Sequence, residues 1–240
     1  MRIILFAILL HITTSAICQS PATVKLEGVK LGLVFAPDYC YRLLNYNSSY
    51  QWVEEIRNGE EMPTFGYTAG IGVKMNLTRK TVIETGLFYS VKGEQTKTRE
   101  VNWVTSNTDL PMASKVQYHF TYIDIPLKFN YLLGGRKIKI FISSGVAMNI
   151  FIEKKSNVIL EFNDGHNTSE ISAVDLGYLK LNLSALIGIG IKYTMSNRFS
   201  IYAEPVYRQY LSSIVADRKA SEYPYSIGAS IGVYYSFRKK

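Results

Sequence analysis

Alternation is the feature that most restricts what this chain can become. Residues 29–35, 65–76, 83–92, 121–131, 138–152, 179–193, 199–210 and 225–237 alternate, with uncharged and mostly apolar side chains at every second position. That is the period of a pleated strand with two different faces, and an amphipathic helix cannot satisfy it. In the last stretch Tyr225, Ile227, Ala229, Ile231, Val233, Tyr235 and Phe237 share one face, while Ser226, Gly228, Ser230, Gly232, Tyr234 and Ser236 share the other. Across all eight stretches the apolar face carries no charge and no Gly. Every charge falls on the opposite face: Lys30, Lys74, Glu84, Lys92, Asp124, Lys128, Lys139, Lys180, Lys192, Glu204 and Arg208.

The connections alternate too. Residues 37–64, 93–120, 153–178 and 211–224 are long links; 77–82, 132–137 and 194–198 are short. Long loops at one end, with tight turns and both termini at the other, describe an up-and-down meander. Its even strand count lets the sheet close and lose its edges. The expected fold is all-β: an eight-stranded antiparallel up-and-down transmembrane β-barrel. Pro126 and Pro205 lie inside strands and lack ladder donors, so bulges are expected there.

The chain opens with Met1, Arg2 and a short apolar run, then His11, two Thr and small residues, the pattern of a secretory signal peptide. We read 1–19 as signal peptide and 20–240 as barrel domain. Removing the signal also removes Cys18, and the remaining Cys40 has no partner for an intrachain disulfide.

Either face could be the lumen: a soluble lipocalin-like periplasmic carrier would turn the apolar one inward. Three features favour lipid outside. An eight-stranded lumen is just wide enough for side chains, and the charged face holds the Gly and Ser that such crowding needs. Aromatics gather near strand ends on the apolar face, as interfacial girdles do. Stretches of about 10 residues suit a tilted bilayer crossing.

The run Tyr122-Ile123-Asp124-Ile125-Pro126-Leu127-Lys128-Phe129-Asn130-Tyr131 resembles the signature strand of the Bacteroidota outer-membrane beta-barrel domain, the PorT-like family. The segment from Asp175-Leu176-Gly177-Tyr178 through Gly188-Ile189-Gly190-Ile191-Lys192-Tyr193 is similar to that family's Asp-x-Gly strand. The chain departs from the pattern at Val146–Ile150, which has fewer Gly, and at the Arg238-Lys239-Lys240 end. The resemblance implies an integral outer-membrane protein of a Gram-negative bacterium, generally without catalysis.

The formal net charge of +8 suggests nucleic acid until it is mapped. The long links hold nine basic and fifteen acidic residues, the turns and tail hold eight basic, and the lumen face holds eight basic and three acidic. The cations are therefore divided among sites that form no nucleic-acid surface. Lys74 and Glu84 are equidistant from Arg79, so a simple hairpin places them opposite each other as an ion pair. Asp124 and Glu204 are expected to accept from other lumen cations, with Lys30, Lys128 and Arg208 completing the network. Lys92, Lys139, Lys180 and Lys192 are expected near the mouths.

Chemistry finds little support. His119 with Ser114 or Asp109 has no motif behind it, Asp164, His166 and Glu170 lack metal-ligand spacing, and no phosphate-binding loop opens a helix. We expect no catalytic residue, metal or cofactor. The first long link combines Tyr39, Tyr41, Tyr46, Tyr50 and Trp52 with four Glu, and exposed aromatics are frequent interface anchors; a short helix is expected near 51–58. The reading is a monomer in outer-membrane lipid with a structural, surface-binding or secretion-linked role, its long loops meeting a protein partner. The rivals are a rim-site enzyme, a small anion-selective pore and the soluble carrier.

Overall fold

The computed structural model describes residues 27–103, 110–135, 137–173, 177–216 and 220–237. The signal peptide, Asp109, Arg136, Asp175, Leu176 and the 238–240 tail lie outside the described residues. The elements are β1 (Glu27–Tyr46), α1 (Gln51–Glu60), β2 (Glu61–Asn76), β3 (Thr81–Thr96), β4 (Arg99–Glu100), β5 (Pro111–Gly134), β6 (Ile138–Phe162), β7 (Asn167–Ala173), β8 (Leu181–Thr194), β9 (Phe199–Tyr210) and β10 (Ala220–Ser236). Each long strand pairs antiparallel with its neighbours in sequence, and β10 returns to pair with β1, so eight strands close a ring. The short β4 and β7 attach to β5 and β6 at the long-loop end.

Two tight turns are built alike. Thr78 Oγ1 accepts from the backbone N–H groups of Lys80 and Thr81, and Ser196 Oγ accepts from those of Arg198 and Phe199. A hydroxyl thus occupies the donors that each reversal frees.

The two faces separate as the alternation predicts. Leu33 is 70% exposed and Phe65 77%, whereas Lys74 on the inner face is 2% exposed. The outer face ends in aromatic belts. At the long-loop end Phe35 meets Tyr67, Tyr67 meets Tyr89, Tyr39 meets Phe65, and Tyr225 meets both Tyr41 and Tyr207. At the other end Tyr235 packs on Phe199 and Phe237. From Tyr225 to Tyr235 the chain rises about 33 Å, or about 25 Å in height at a tilt near 40°, the thickness of a lipid-facing band. Among the described residues no helix is long and apolar enough to cross a membrane; the strands make the crossing.

Small residues on the inner face admit large ones. A Cβ at Gly72 would collide with the Tyr234 hydroxyl, and one at Gly190 with the Phe141 ring. Tyr234, Tyr202, Phe141, Val82 and Leu132 form a buried layer toward the short-turn end, and Phe120, Tyr122, Phe151, Tyr210 and Ile214 form another toward the long-loop end.

Two expectations are overturned. No bulge occurs at Pro126 or Pro205. Pairing of β5 with β3 lapses beside Pro126 and resumes in the same register, and Pro205 stays opposite Ala229. An antiparallel residue directs its N–H to one neighbour only, so Pro costs one bond without moving the ladder. The register shifts lie elsewhere, between Glu27 and Val29, Pro63 and Tyr67, Pro111 and Ala113, and Thr121 and Tyr122. The long links are also shorter than the alternation implies: β1 continues to Tyr46, and β5 and β6 run for 24 and 25 residues, more than twice the crossing length.

Candidate functional site at the long-loop mouth

Because the strands continue above the belt, side chains assigned from sequence to loops enter the lumen. Arg42 on β1, its side chain 1% exposed, is clamped between Glu61 of β2 and Glu94 of β3, the Nε to Glu94 distance being 2.6 Å. α1 then folds over the opening. Glu54 in its first turn accepts from the Tyr46 N–H at 3.0 Å, tying the helix back to the end of β1. From the last turn Arg57 reaches Glu61 (2.8 Å), Glu94 (3.0 Å) and Glu222 of β10 (3.1 Å), and donates to the Tyr46 hydroxyl. One guanidinium thereby staples the cap to three strands, using the planar fork that makes Arg suited to several carboxylates.

Opposite α1, Lys154 stands among the rings of Tyr118, Phe120 and Tyr178 and donates to the Tyr178 hydroxyl at 2.9 Å. Between them lies a cavity of about 280 Å³ lined by Arg57, Glu94, Tyr118, Lys154, Tyr178 and Glu222. Burial first, and then the nearby Glu222 carboxylate, push Glu94 up to about 7 against the pull of Arg42 and Arg57. Burial also lowers Lys154 below the usual lysine range. Although burial opposes its charge, Arg57 is held more firmly protonated than usual by Glu222 and Glu94.

Beneath this cage lies a second tier around Asp38. Its carboxylate takes Lys92 at 2.5 Å, Arg208 at 2.6 Å and the Thr68 hydroxyl at 2.7 Å. Lys92 is therefore deep in the barrel, 3% exposed, which corrects its expected place near a mouth. Deeper still, Lys128 donates to both Glu204 oxygens at 2.7 and 2.9 Å and lies 3.6 Å from Glu84. Glu84 also takes Lys74 at 3.3 Å, and the two are cross-strand partners in register. Asp124 accepts from Asn149 at 2.7 Å, an amide in place of the expected cation. The space among Asp124, Lys128 and Arg208 is about 40 Å³, room for about one or two waters.

The five aromatics of the first link are not brought together. Tyr39 and Tyr41 face outward in the upper belt on β1, Tyr46 supports Arg57, Tyr50 ends a short 3₁₀ turn before α1, and Trp52 projects from α1 with 61% exposure. Ser114 and His119 lie five residues apart on β5, about 16 Å along it and on opposite faces. His166 stacks on Phe162 at 4.2 Å and contacts Asp164 within a tight turn. Among the described residues no three His, Cys, Asp or Glu group to hold a metal. Cys40 is a buried free thiol.

Sequence reasoning missed Asp38, Arg42, Arg57, Glu61, Glu94 and Glu222. The signal that could have found them is parity: Asp38 and Arg42 continue the inward count from Lys30, and Glu94 continues it from Glu84 and Lys92.

Several solved structures resemble the chain. They include neisserial surface protein A (10% identity, 87% of this chain and 97% of that chain, TM-score 0.44). The outer membrane protease OmpT from Escherichia coli is another (10%, 92% and 99%, TM-score 0.42). A third is Ail, the attachment invasion locus protein of Yersinia pestis (11%, 86% and 99%, TM-score 0.33). No curated protein matches the chain in sequence. Residues 28–207, most of the chain and seven of its eight barrel strands, match the model of the outer membrane protein beta-barrel domain, and the chain belongs to that family.

Proposed function

We propose that this outer-membrane barrel is a monomeric, non-catalytic surface-binding module that turns its long-loop end outward to engage a protein partner. The observation that carries the reading is the mismatch between lumen and rim. The lumen is filled by packed charges and rings, while β5 and β6 continue far above the belt and carry β4 and β7 as a small projecting sheet. Every residue of β7 is exposed, Ile171 at 65%, and Trp52 and Ile56 project one helical turn apart from the outer side of α1. Apolar groups held in water on a rigid platform are the anchors that interfaces use. The resemblance of 122–131 to the PorT-like Bacteroidota branch, and a link to secretion, belong to the same proposal.

A photo-crosslinking side chain at Ser169, on cells making the full-length protein, tests this. A discrete protein adduct that disappears with Ile171→Asp and Trp52→Ala supports the reading. Equal yields in both variants, or ion conductance by the refolded barrel in planar bilayers, overturns it.

A further inference from the structure

We infer that the opposite, short-turn mouth is a binding site for a phosphate-class oxyanion, held by Lys30 and Lys192, with Lys139 adding its charge from beside Lys192. Register brings the cations together. Lys139 on β6 is the direct cross-strand partner of Lys192 on β8, and Lys30 on β1 is the direct partner of Lys74 on β2. Like charges in such positions repel. The Lys30 and Lys192 side chains also meet across the mouth.

Lys74 is accounted for by Glu84 and by the ring faces of Tyr202 and Tyr234, at 3.4 and 4.5 Å. Among the described residues Lys30, Lys139 and Lys192 have no carboxylate partner, and Lys192 has only the more distant face of Tyr202, at 5.8 Å. Their mouth opens into a cavity of about 690 Å³ lined by Lys30, Lys192, Arg198, Thr194, Ser200 and Ser236, and no carboxylate contributes to the lining among the described residues. Phe141, Tyr202 and Tyr234 close its inner end, and the carboxylates of Glu84 and Glu204 are engaged by Lys74 and Lys128. Lys192 is 8% exposed, which leaves its ammonium little water to share.

A half-buried group of ammoniums without acid keeps its charge at low cost only where a counter-ion joins it. Ammoniums converging beside three hydroxyl donors match a tetrahedral oxyanion, which offers several acceptor atoms and more than one negative charge. In the proposed orientation the site faces the periplasm, and the phosphate is either free in solution or part of an inner-leaflet lipid headgroup.

Barrel refolded in a phosphorus-free detergent and titrated with inorganic phosphate, followed by ³¹P line broadening and calorimetry, tests the site. Saturable binding, unaffected by equimolar chloride and weakened at least 10-fold by Lys192→Gln, is the expected result. A parallel titration with phosphatidylglycerol in mixed micelles separates the sources: saturation there but not with inorganic phosphate assigns the headgroup, and the reverse assigns the free ion. Should Lys192→Gln fail to refold, Lys139→Gln, half-buried and outside the cavity lining, is expected to weaken binding at least 3-fold. It is also expected to melt no lower than the parent without phosphate, because it removes a repulsion. No saturable binding in either titration, or equal binding by parent and lysine variants, overturns the assignment.

Discussion

The two mouths of the barrel spend similar cations in opposite ways. At the long-loop end Arg42 and Arg57 are clasped by Glu61, Glu94 and Glu222, so the opening is tied shut by groups of the chain itself. At the short-turn end Lys30, Lys139 and Lys192 face one another with no carboxylate in the described lining. The lesson is that net charge says little about a lumen until partners are counted. One end is cross-linked by its charges and the other is pushed apart by them.

Variants can break the contrast. The largest effect is expected from Arg42→Met, which leaves Glu61, Glu94 and Glu222 to share the single, partly exposed Arg57 and costs about 3 kcal/mol. Urea unfolding in vesicles measures it, and a midpoint equal to the parent's would show that the clamp is not holding the mouth. Arg57→Met releases only the cap. Its side chain is 25% exposed, so a loss of about 1–2 kcal/mol is expected, seen as faster proteolysis within 47–60 while the barrel stays heat-modifiable on gels.

Next comes the pH response. Glu94 is raised to about 7 from an ordinary 4.5 by burial and then by Glu222, so between these values the folded chain binds more protons than the unfolded one. Stability therefore falls as pH rises from about 4.5 to about 7. Glu94→Gln should flatten that slope in melting curves recorded from pH 4 to 8. The smallest change has the opposite sign. Lys139→Gln is expected to stabilise the barrel by about 0.5 kcal/mol in chloride buffer by removing the charge opposite Lys192, and a destabilised variant would mean that the repulsion is already neutralised within the chain.

Much of this was legible in the order of residues. The eight strands, the outward apolar face, the Lys74–Glu84 register and the helix after Tyr50 all follow from local patterns. The helix runs Gln51–Glu60, two residues past the expected end, and that extension sets Glu61, the first residue of β2, at i+4 from Arg57. The prolines misled because their ladder cost is a single bond, too small to shift a register fixed on both sides. The cage residues were read as loop because the apolar signal ceases where lipid ends, although the hydrogen-bonded strand continues.

Sequence by itself determined the two-faced strands and their meander, and the small residues of the charged face with the aromatic ends of the apolar one favoured lipid outside over the inverted, soluble arrangement. Only the tertiary structure decided who pairs with whom across the lumen. Asp38 meets Lys92 and Arg208, and Lys128 meets Glu204, because the tilt and stagger of the closed barrel bring distant strands to one level. No spacing along the chain encodes that level.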